Sequence, residues 1–492
     1  MAAQTPMSAI DWLSNSLTEP ADRITNTANP DITGTALPGR VTVSQIAGPS
    51  ADAVGLLPTS VTGLPANLWG HSRTQTLVAK FQLDPTRLIP ATRDLYYTLL
   101  LAELDPPFDS TPQAHLYIAR LDALLELGAL DQAQSLLALS GQSHPDLFLR
   151  SFDVSLLVHT ENTACETLRL TPELSPTFPA RIFCLARGGD WDAAALSLET
   201  GRALGFLTHD EDQLLARFLD PVLFENEPFH YSTAHPSPLV FRILEAIGEP
   251  MSTATMPRAF AHADLHTNSG WKAQIEATER LTKIGALTPN SLLGIYNQRD
   301  PAASGGVWDR VAAIQALDRA LNQGDLDAIS TALVRAWAEM TRAELEIPFA
   351  KLFSDRILKL GLQGNARSIA FDIGMLSDRY EEVILDIPPL TNRQKLLGSI
   401  ARGQPGDVFA ASPIGVAIQD GFRSNAVPAR LKPLTDNNRL GEAILLAIAT
   451  FSDDTQGNLG QLSDALSFFR AVGLEETARR AAIQLLLLDR RG

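Results

Sequence analysis

The chain has 492 residues, of which 45% are hydrophobic and 20% are charged. This composition excludes a chain that is disordered throughout, a collagen-like protein and a disulfide-rich mini-protein, and the length corresponds to about two to four domains or one extended repeat structure. With 56 acidic and 40 basic residues the formal net charge is −16. Nucleic acid and anionic membranes are therefore unfavourable partners, because both are bound by clustered Lys and Arg.

The N-terminal region is poor in charge and rich in Pro, Gly, Ser and Thr. Within it, Ser8–Leu17 predicts a two-turn amphipathic helix and Arg40–Gln45 at most one short strand. The stretch Val54–Trp69 contains too much Pro and Gly for a helix, yet its Leu and Trp side chains need to be covered. Two interpretations remain: an extended strap packed on the neighbouring folded region, or a segment that docks to another protein.

The first residues do not form an intact signal peptide, because Met1–Pro6 lacks a basic region followed by an apolar one. The small residues Ala2 and Ala3 before Gln4 are typical of what signal cleavage leaves, although an ordinary cytoplasmic start accounts for them equally well. No window holds 18 consecutive apolar residues, so no transmembrane helix is expected.

From about Pro90 onward, apolar residues recur at three- and four-residue spacing, and no alternating run of strand length interrupts them. This periodicity predicts an all-α region. The predicted helices are Arg93–Glu103, Thr111–Leu127, Leu130–Leu139, Asp146–Leu157, Pro179–Arg187, Trp191–Leu204, Leu239–Ile247, Trp271–Ile284, Pro289–Asn297, Trp308–Asn322, Leu326–Met340, Phe349–Leu360, Ala366–Leu376, Thr391–Ile400, Leu440–Thr450, Leu459–Val472 and Glu475–Asp489.

The chain is accordingly expected to have four segments. Residues 1–88 form the extended N-terminal strap and residues 89–220 a first helical repeat region. Residues 221–238 form a linker rich in Pro and His, and residues 239–492 form a second helical repeat region.

A short pattern, Gly-x-x-(Asp/Glu)-x-Ala, separates several of these helices. It occurs at Gly128–Ala133, Gly189–Ala194 and Gly473–Ala478, and Gly324–Ile329 differs only in its last residue. A glycine in the left-handed conformation ends one helix, an acidic residue favours the first turn of the next, and a small Ala allows close packing. The pattern resembles the turn between the two helices of tetratricopeptide repeats, which implies an irregular α-solenoid of helix hairpins. The spacings of 61, 135 and 149 residues between the motifs depart from the 34-residue period of that family.

Two further stretches, Phe183–Ala194 and Pro301–Arg310, resemble a group of uncharacterised bacterial all-helical proteins. The resemblance covers residues from about 90 to 492. It implies an all-helical fold in a bacterial protein and carries no activity.

Motifs that carry chemistry are not found. The chain has no glycine-rich nucleotide-binding loop and no nucleophile elbow, so no catalytic or cofactor-binding residue is assigned and no cofactor is expected. The best metal candidate is the segment His262–His266, in which a helix would place His262 and His266 on one face, with Asp264 beside them and His230 and His235 nearby in sequence. Surface, capping or packing roles explain these imidazoles better, so no metal ligand is assigned.

Four tryptophans, Trp191, Trp271, Trp308 and Trp337, begin predicted helices or lie within them. Core packing is the expected role, with a partner-binding groove as the alternative.

Cys165 and Cys184 lie at equal distances from a turn predicted over Thr171–Phe178. In an antiparallel helix hairpin, equal distances place two residues at the same level, which is the geometry that a disulfide needs. The spacing favours a disulfide and an oxidising compartment such as the periplasm, whereas two buried free thiols would fit the cytoplasm.

These observations favour a non-enzymatic scaffold for protein partners, in the bacterial cell envelope. The identity of the partners stays open. The alternative is a hydrolase or a peptidoglycan-active or metal-dependent enzyme that uses a helical superstructure. A separate catalytic domain would then be expected, and the helical pattern continues to the end of the sequence without one.

Overall fold

The computed structural model describes residues 50–140, 144–225, 227, 231, 236–266, 268–406, 408–451 and 458–488. Within these ranges the chain is all-α, with one isolated bridge between Leu57 and Ala102 as its only β pairing. The all-helical prediction is confirmed for this part of the protein. The predicted helix Ser8–Leu17 and strand Arg40–Gln45 lie outside it.

The helices are α1 Thr59–Thr62, α2 Thr74–Lys80, α3 Pro90–Leu101, α4 His115–Leu127, α5 Leu130–Ser140, α6 Pro145–Leu157, α7 Glu161–Leu170, α8 Phe178–Arg187, α9 Trp191–Leu204, α10 His209–Leu219, α11 Pro238–Ala246, α12 Trp271–Ile284, α13 Pro289–Tyr296, α14 Val307–Gln323, α15 Leu326–Arg342, α16 Glu346–Ile357, α17 Gly364–Met375, α18 Val383–Asp386, α19 Asn392–Ala401, α20 Pro413–Arg423, α21 Lys432–Asp436, α22 Leu440–Ala449, α23 Leu459–Ala471 and α24 Glu475–Leu487. Three 3₁₀ segments accompany them, Ala51–Ala53, Pro172–Leu174 and Arg258–Leu265.

Two of these helices lie in the segment that the sequence predicts to be extended. Helix α1 is a single turn held between Pro58 and Gly63, whose φ of 67° closes the turn in the left-handed conformation. Helix α2 has seven residues and begins at Thr74. In this segment Pro and Gly therefore mark the two ends of a helical turn and do not prevent it.

The described chain divides into two compact units that are not continuous in sequence. The first contains residues 50–54, Ser110–Tyr117 and Leu137–Ser252; the second contains Gly55–Asp109, Ile118–Leu136 and the chain from Thr253 onward. In chain order, most of the first unit is an insertion in the second. The predicted segment boundaries at residues 88, 220 and 238 stay a prediction.

The core of the first unit is built by α6–α11. The apolar side chains Phe148, Phe152, Leu156, Ile182, Phe183, Leu214, Leu215 and Ile243 are buried in one cluster. Beside it Glu161, which is 1% exposed, lies 3.2 Å from both Arg187 and Arg242 and so links α7 to α8 and α11.

The second unit joins the beginning of its chain to the end. Helix α3 packs against α24, and the Ala91 amide donates a hydrogen bond of 2.7 Å to Oε1 of Gln484, 393 residues away. Residues 55–69 pack on the same unit, where Leu64, Leu68 and Trp69 are buried. Backbone hydrogen bonds from Leu56 and Leu57 to the Leu101 carbonyl hold the strap along the end of α3. Of the two interpretations of this segment, residues 55–69 therefore fit the first, a strap packed on the neighbouring folded region.

Candidate functional site

The four glycine-centred turns adopt the geometry that the sequence predicts. Gly128, Gly189, Gly324 and Gly473 have φ angles of 74°, 84°, 76° and 87°, all in the left-handed region that favours glycine. Each lies between two helices, and the last residue of each motif, Ala133, Ala194, Ile329 and Ala478, is fully buried.

The acidic residues of these turns stabilise the following helices. Asp131, Asp192 and Asp327 lie in the first turns of α5, α9 and α15, and Glu476 in that of α24. The residue after the glycine adds a cap at two turns, where a carboxylate accepts amide hydrogens at the start of α9 and α15. The pairs α8 and α9, α14 and α15, and α23 and α24 pack directly together. At Gly189, Gly324 and Gly473 the motif thus marks packed helix hairpins.

The two cysteines lie on adjacent helices of the first unit. Cys165 on α7 and Cys184 on α8 are both buried, their Cα atoms are 4.9 Å apart, and the structure joins them as a disulfide. This Cα separation is within the usual range for a disulfide. The redox state of the pair in the native compartment stays a prediction.

His262 lies in the 3₁₀ helix Arg258–Leu265, and His266 follows the end of that helix in an extended conformation. With three residues per turn and an extended backbone at His266, the two imidazoles do not share the face that an α-helix would give them. His262 is 5% exposed, and its Nε2 lies 2.7 Å from the Gly128 carbonyl oxygen, to which the neutral ring donates. Asp264 instead accepts a hydrogen bond from Thr253.

His262 therefore holds the turn at Gly128 by a hydrogen bond, although the two residues are 134 positions apart in the sequence. Burial lowers its pKa below the ordinary 6.5, because desolvation disfavours the charged ring. Among the described residues no group of three or more His, Cys, Asp and Glu side chains is arranged to hold a metal ion. His230 and His235 lie outside them.

The tryptophans separate into buried and exposed members. Trp271 is buried, donates to the Ile295 carbonyl and contacts the ring of Trp308 at 5.2 Å, as core packing requires. Trp337 is half-buried and contacts Phe349 at 5.8 Å. Trp191 differs, since it is 50% exposed at the start of α9. The core prediction is wrong for this residue.

Trp191 belongs to a wider set of exposed apolar side chains. Those of the first unit are Leu139, Leu170, Trp191, Leu196, Leu204, Phe206, Val222 and Leu223. The ring of Trp191 contacts Phe218 near the end of α10 at 6.3 Å, so α9 and α10 run antiparallel. Val222 and Leu223 follow α10 directly and are 77% and 69% exposed. We call Trp191, Val222 and Leu223 the apolar end of α10.

This apolar end belongs to an acidic part of the chain. Residues 145–225 contain thirteen carboxylates, six arginines and no lysine, which gives a formal charge of −7. The turn after α10 is ordered by its own contacts: the Leu223 amide donates to Asp220, and the Arg217 guanidinium lies 4.7 Å from the centre of the Phe224 ring. Exposed apolar side chains on an ordered surface are typical of sites that bind a protein partner.

Comparison with protein-family models, with curated proteins and with solved structures finds no match to this chain. None of the helices in the described ranges is both long and apolar enough to cross a membrane.

Proposed function

We propose that the chain is a non-enzymatic scaffold that binds protein partners in the bacterial cell envelope, built as an irregular α-solenoid of helix hairpins. The observation that carries the proposal is the apolar end of α10. Three large side chains, Trp191, Val222 and Leu223, remain exposed at the end of a well-packed hairpin. Tryptophan is among the residues that contribute most binding energy to protein interfaces.

The charge around this site defines the kind of partner. A protein segment that carries apolar side chains flanked by Lys or Arg would bury the apolar end and complement the surrounding carboxylates. The excess of carboxylates would attract such a segment at a distance, and salt would weaken this attraction.

The location in the cell envelope rests on the two cysteines. A pairing of Cys165 with Cys184 is stable in an oxidising compartment, whereas the cytoplasm keeps thiols reduced. The helix hairpins at Gly189, Gly324 and Gly473 support the solenoid, because stacked hairpins are the unit from which solenoids are built.

The test compares partner recovery by matched variants of the tagged full chain, after crosslinking in the native cell. Val222→Asp combined with Leu223→Asp places charge on the apolar end. Leu385→Asp is the control, because Leu385 is 79% exposed and belongs to the second unit. Partners bound at the apolar end should be recovered with the wild type and the control and lost with the double variant. Equal recovery by all three chains would contradict the proposal.

A further inference from the structure

Helix α7 buries only a small part of its surface in the first unit. Its buried residues are Glu161, Ala164, Cys165 and Leu168, and the other six of its ten residues are exposed or half-buried. Leu168 is thus the only large aliphatic side chain that this helix buries, since Leu170 at its end is 71% exposed. A helix of this length is marginal in water by itself, so α7 depends on its attachments to the neighbouring helices.

The local sequence of α7 does little to stabilise the helix. Asn162, Thr163 and Thr167 are weak helix formers. Thr160, which precedes the helix, makes no capping hydrogen bond with its side chain. By contrast, α10 begins with a complete capping box at Thr208.

Two polar or covalent anchors join α7 to the rest of the unit. The first is Glu161, the first residue of the helix, whose Oε1 lies 3.2 Å from both Arg187 and Arg242. Its other carboxylate oxygen is buried and has no hydrogen-bond partner among the described residues, so the desolvation of this charge is only partly compensated. The second anchor is the disulfide between Cys165 and Cys184. Beyond its first residue, α7 is therefore attached mainly by this covalent bond.

Helix α8, at the other end of the bridge, has anchors that do not involve the disulfide. It buries Ile182 and Phe183. The ring centre of Phe183 lies 6.4 Å from that of Phe152 on α6 and 5.5 Å from that of Phe218 on α10. Opening the bridge therefore leaves α8 in place and removes an attachment that only α7 needs.

We propose that α7 is a redox-controlled cover of the first unit, held closed by the disulfide and released when a dithiol reduces it. One thiolate of the dithiol attacks a sulfur of the bridge and forms a mixed disulfide, which the second thiol of the dithiol then displaces. Cys165 and Cys184 gain two electrons and two protons and become thiols, and the dithiol becomes a disulfide. Release of α7 uncovers the side of α6 against which it packs. This inference does not depend on the proposed function.

Hydrogen exchange of the full chain, measured by mass spectrometry before and after treatment with dithiothreitol, tests the proposal. Alkylation and intact mass show whether the bridge has been reduced. In the reduced, folded chain the amides of residues 165–170 should exchange at least about tenfold faster, and those of α15 in the second unit should not change. Three results would each overturn the proposal: a bridge that dithiothreitol leaves intact in the folded chain, unchanged exchange of residues 165–170 after reduction, or the same acceleration throughout α6–α11.

A variant without the bridge separates its loss from other effects of the reductant. In the double variant Cys165→Ala and Cys184→Ala, residues 165–170 should exchange as in the reduced wild type, and dithiothreitol should have no further effect. Slow exchange of these amides in the folded double variant would contradict the proposal. If the double variant does not fold, the reduced wild type decides the question, because its sequence is unchanged.

Discussion

A double-mutant cycle at Trp69 and Gly441 would test the packing of the strap on the second unit. Trp69 is 1% exposed and contacts Phe81 edge-on, with ring centres 5.8 Å apart. Gly441, near the start of α22, presses against the same ring: a Cβ atom added there would lie 2.5 Å from Cε3 of Trp69. Such a distance is too short for two carbon atoms, so one of the groups would have to move.

The expected magnitudes follow from this geometry. Trp69→Ala should lower the free energy of unfolding by about 3–5 kcal/mol, the usual cost of removing a buried aromatic ring. Gly441→Ala should lower it by about 1–3 kcal/mol in the wild type through overpacking. In the Trp69→Ala background the clash with the ring is gone. The better helix propensity of Ala, worth about 1 kcal/mol, should then offset most of the remaining cost, which comes from Leu68 Cγ at 3.1 Å.

Urea unfolding followed by far-UV circular dichroism measures the cycle, with amide exchange of residues 440–449 as a local readout. Gly294→Ala on α13 is the matched control, because an added Cβ there meets no atom within 4 Å. Its effect should be the same with and without Trp69. If Gly441→Ala is equally destabilising in both backgrounds, the strap does not pack against α22 as described.

Three further predictions concern other parts of the molecule. Intact-mass measurement after alkylation without reductant should show Cys165 and Cys184 unmodified in protein from its native compartment, and two alkylated thiols would contradict the disulfide. Replacement of both cysteines by Ser should lower the free energy of unfolding by about 3 kcal/mol. Stability should fall as the pH drops below 6.5, because the unfolded chain protonates His262 while burial lowers its pKa in the folded one. His262→Gln should reduce the difference in melting temperature between about pH 7.5 and about pH 5.5, and an unchanged difference would assign the effect to other groups. Gly473→Ala should cost about 1–2 kcal/mol because of its left-handed backbone, as measured by urea unfolding. The control is Gly361→Ala, since Gly361 lies outside the left-handed region and an added Cβ there meets no atom within 4 Å; equal effects would refute the backbone explanation.

The all-helical character of the described chain could be predicted from the sequence because most helices carry a regular apolar period. Some helices lack this regular period, and the sequence does not predict them. Helix α7 contains two Thr among ten residues, α10 begins with five polar residues that follow a capping box at Thr208, and α20 contains two glycines. Their burial comes from tertiary contacts, which override weak local propensity.

Several features of the candidate sites could not be predicted from local sequence. The exposure of Trp191 depends on what surrounds the end of α10, and a helical pattern does not distinguish an exposed aromatic ring from a buried one. The role of His262 likewise depends on a contact with Gly128, 134 residues earlier in the chain.

The discontinuous order of the second unit has a consequence for the synthesis of this protein. The Ala91 amide forms its hydrogen bond with Gln484, 393 residues later in the chain. A ribosome that adds about 5–20 residues per second makes Gln484 roughly 20 to 80 seconds after Ala91. The chain of Leu137–Ser252 is complete long before that, so the first unit can fold while the second still lacks α22 and α24. During this interval the side of Trp69 that packs on Gly441 and the side of α3 that packs on α24 are not covered. The second unit therefore exposes this apolar surface until α22 and α24 have been made, and exposed apolar surface of this kind makes incomplete chains prone to aggregation.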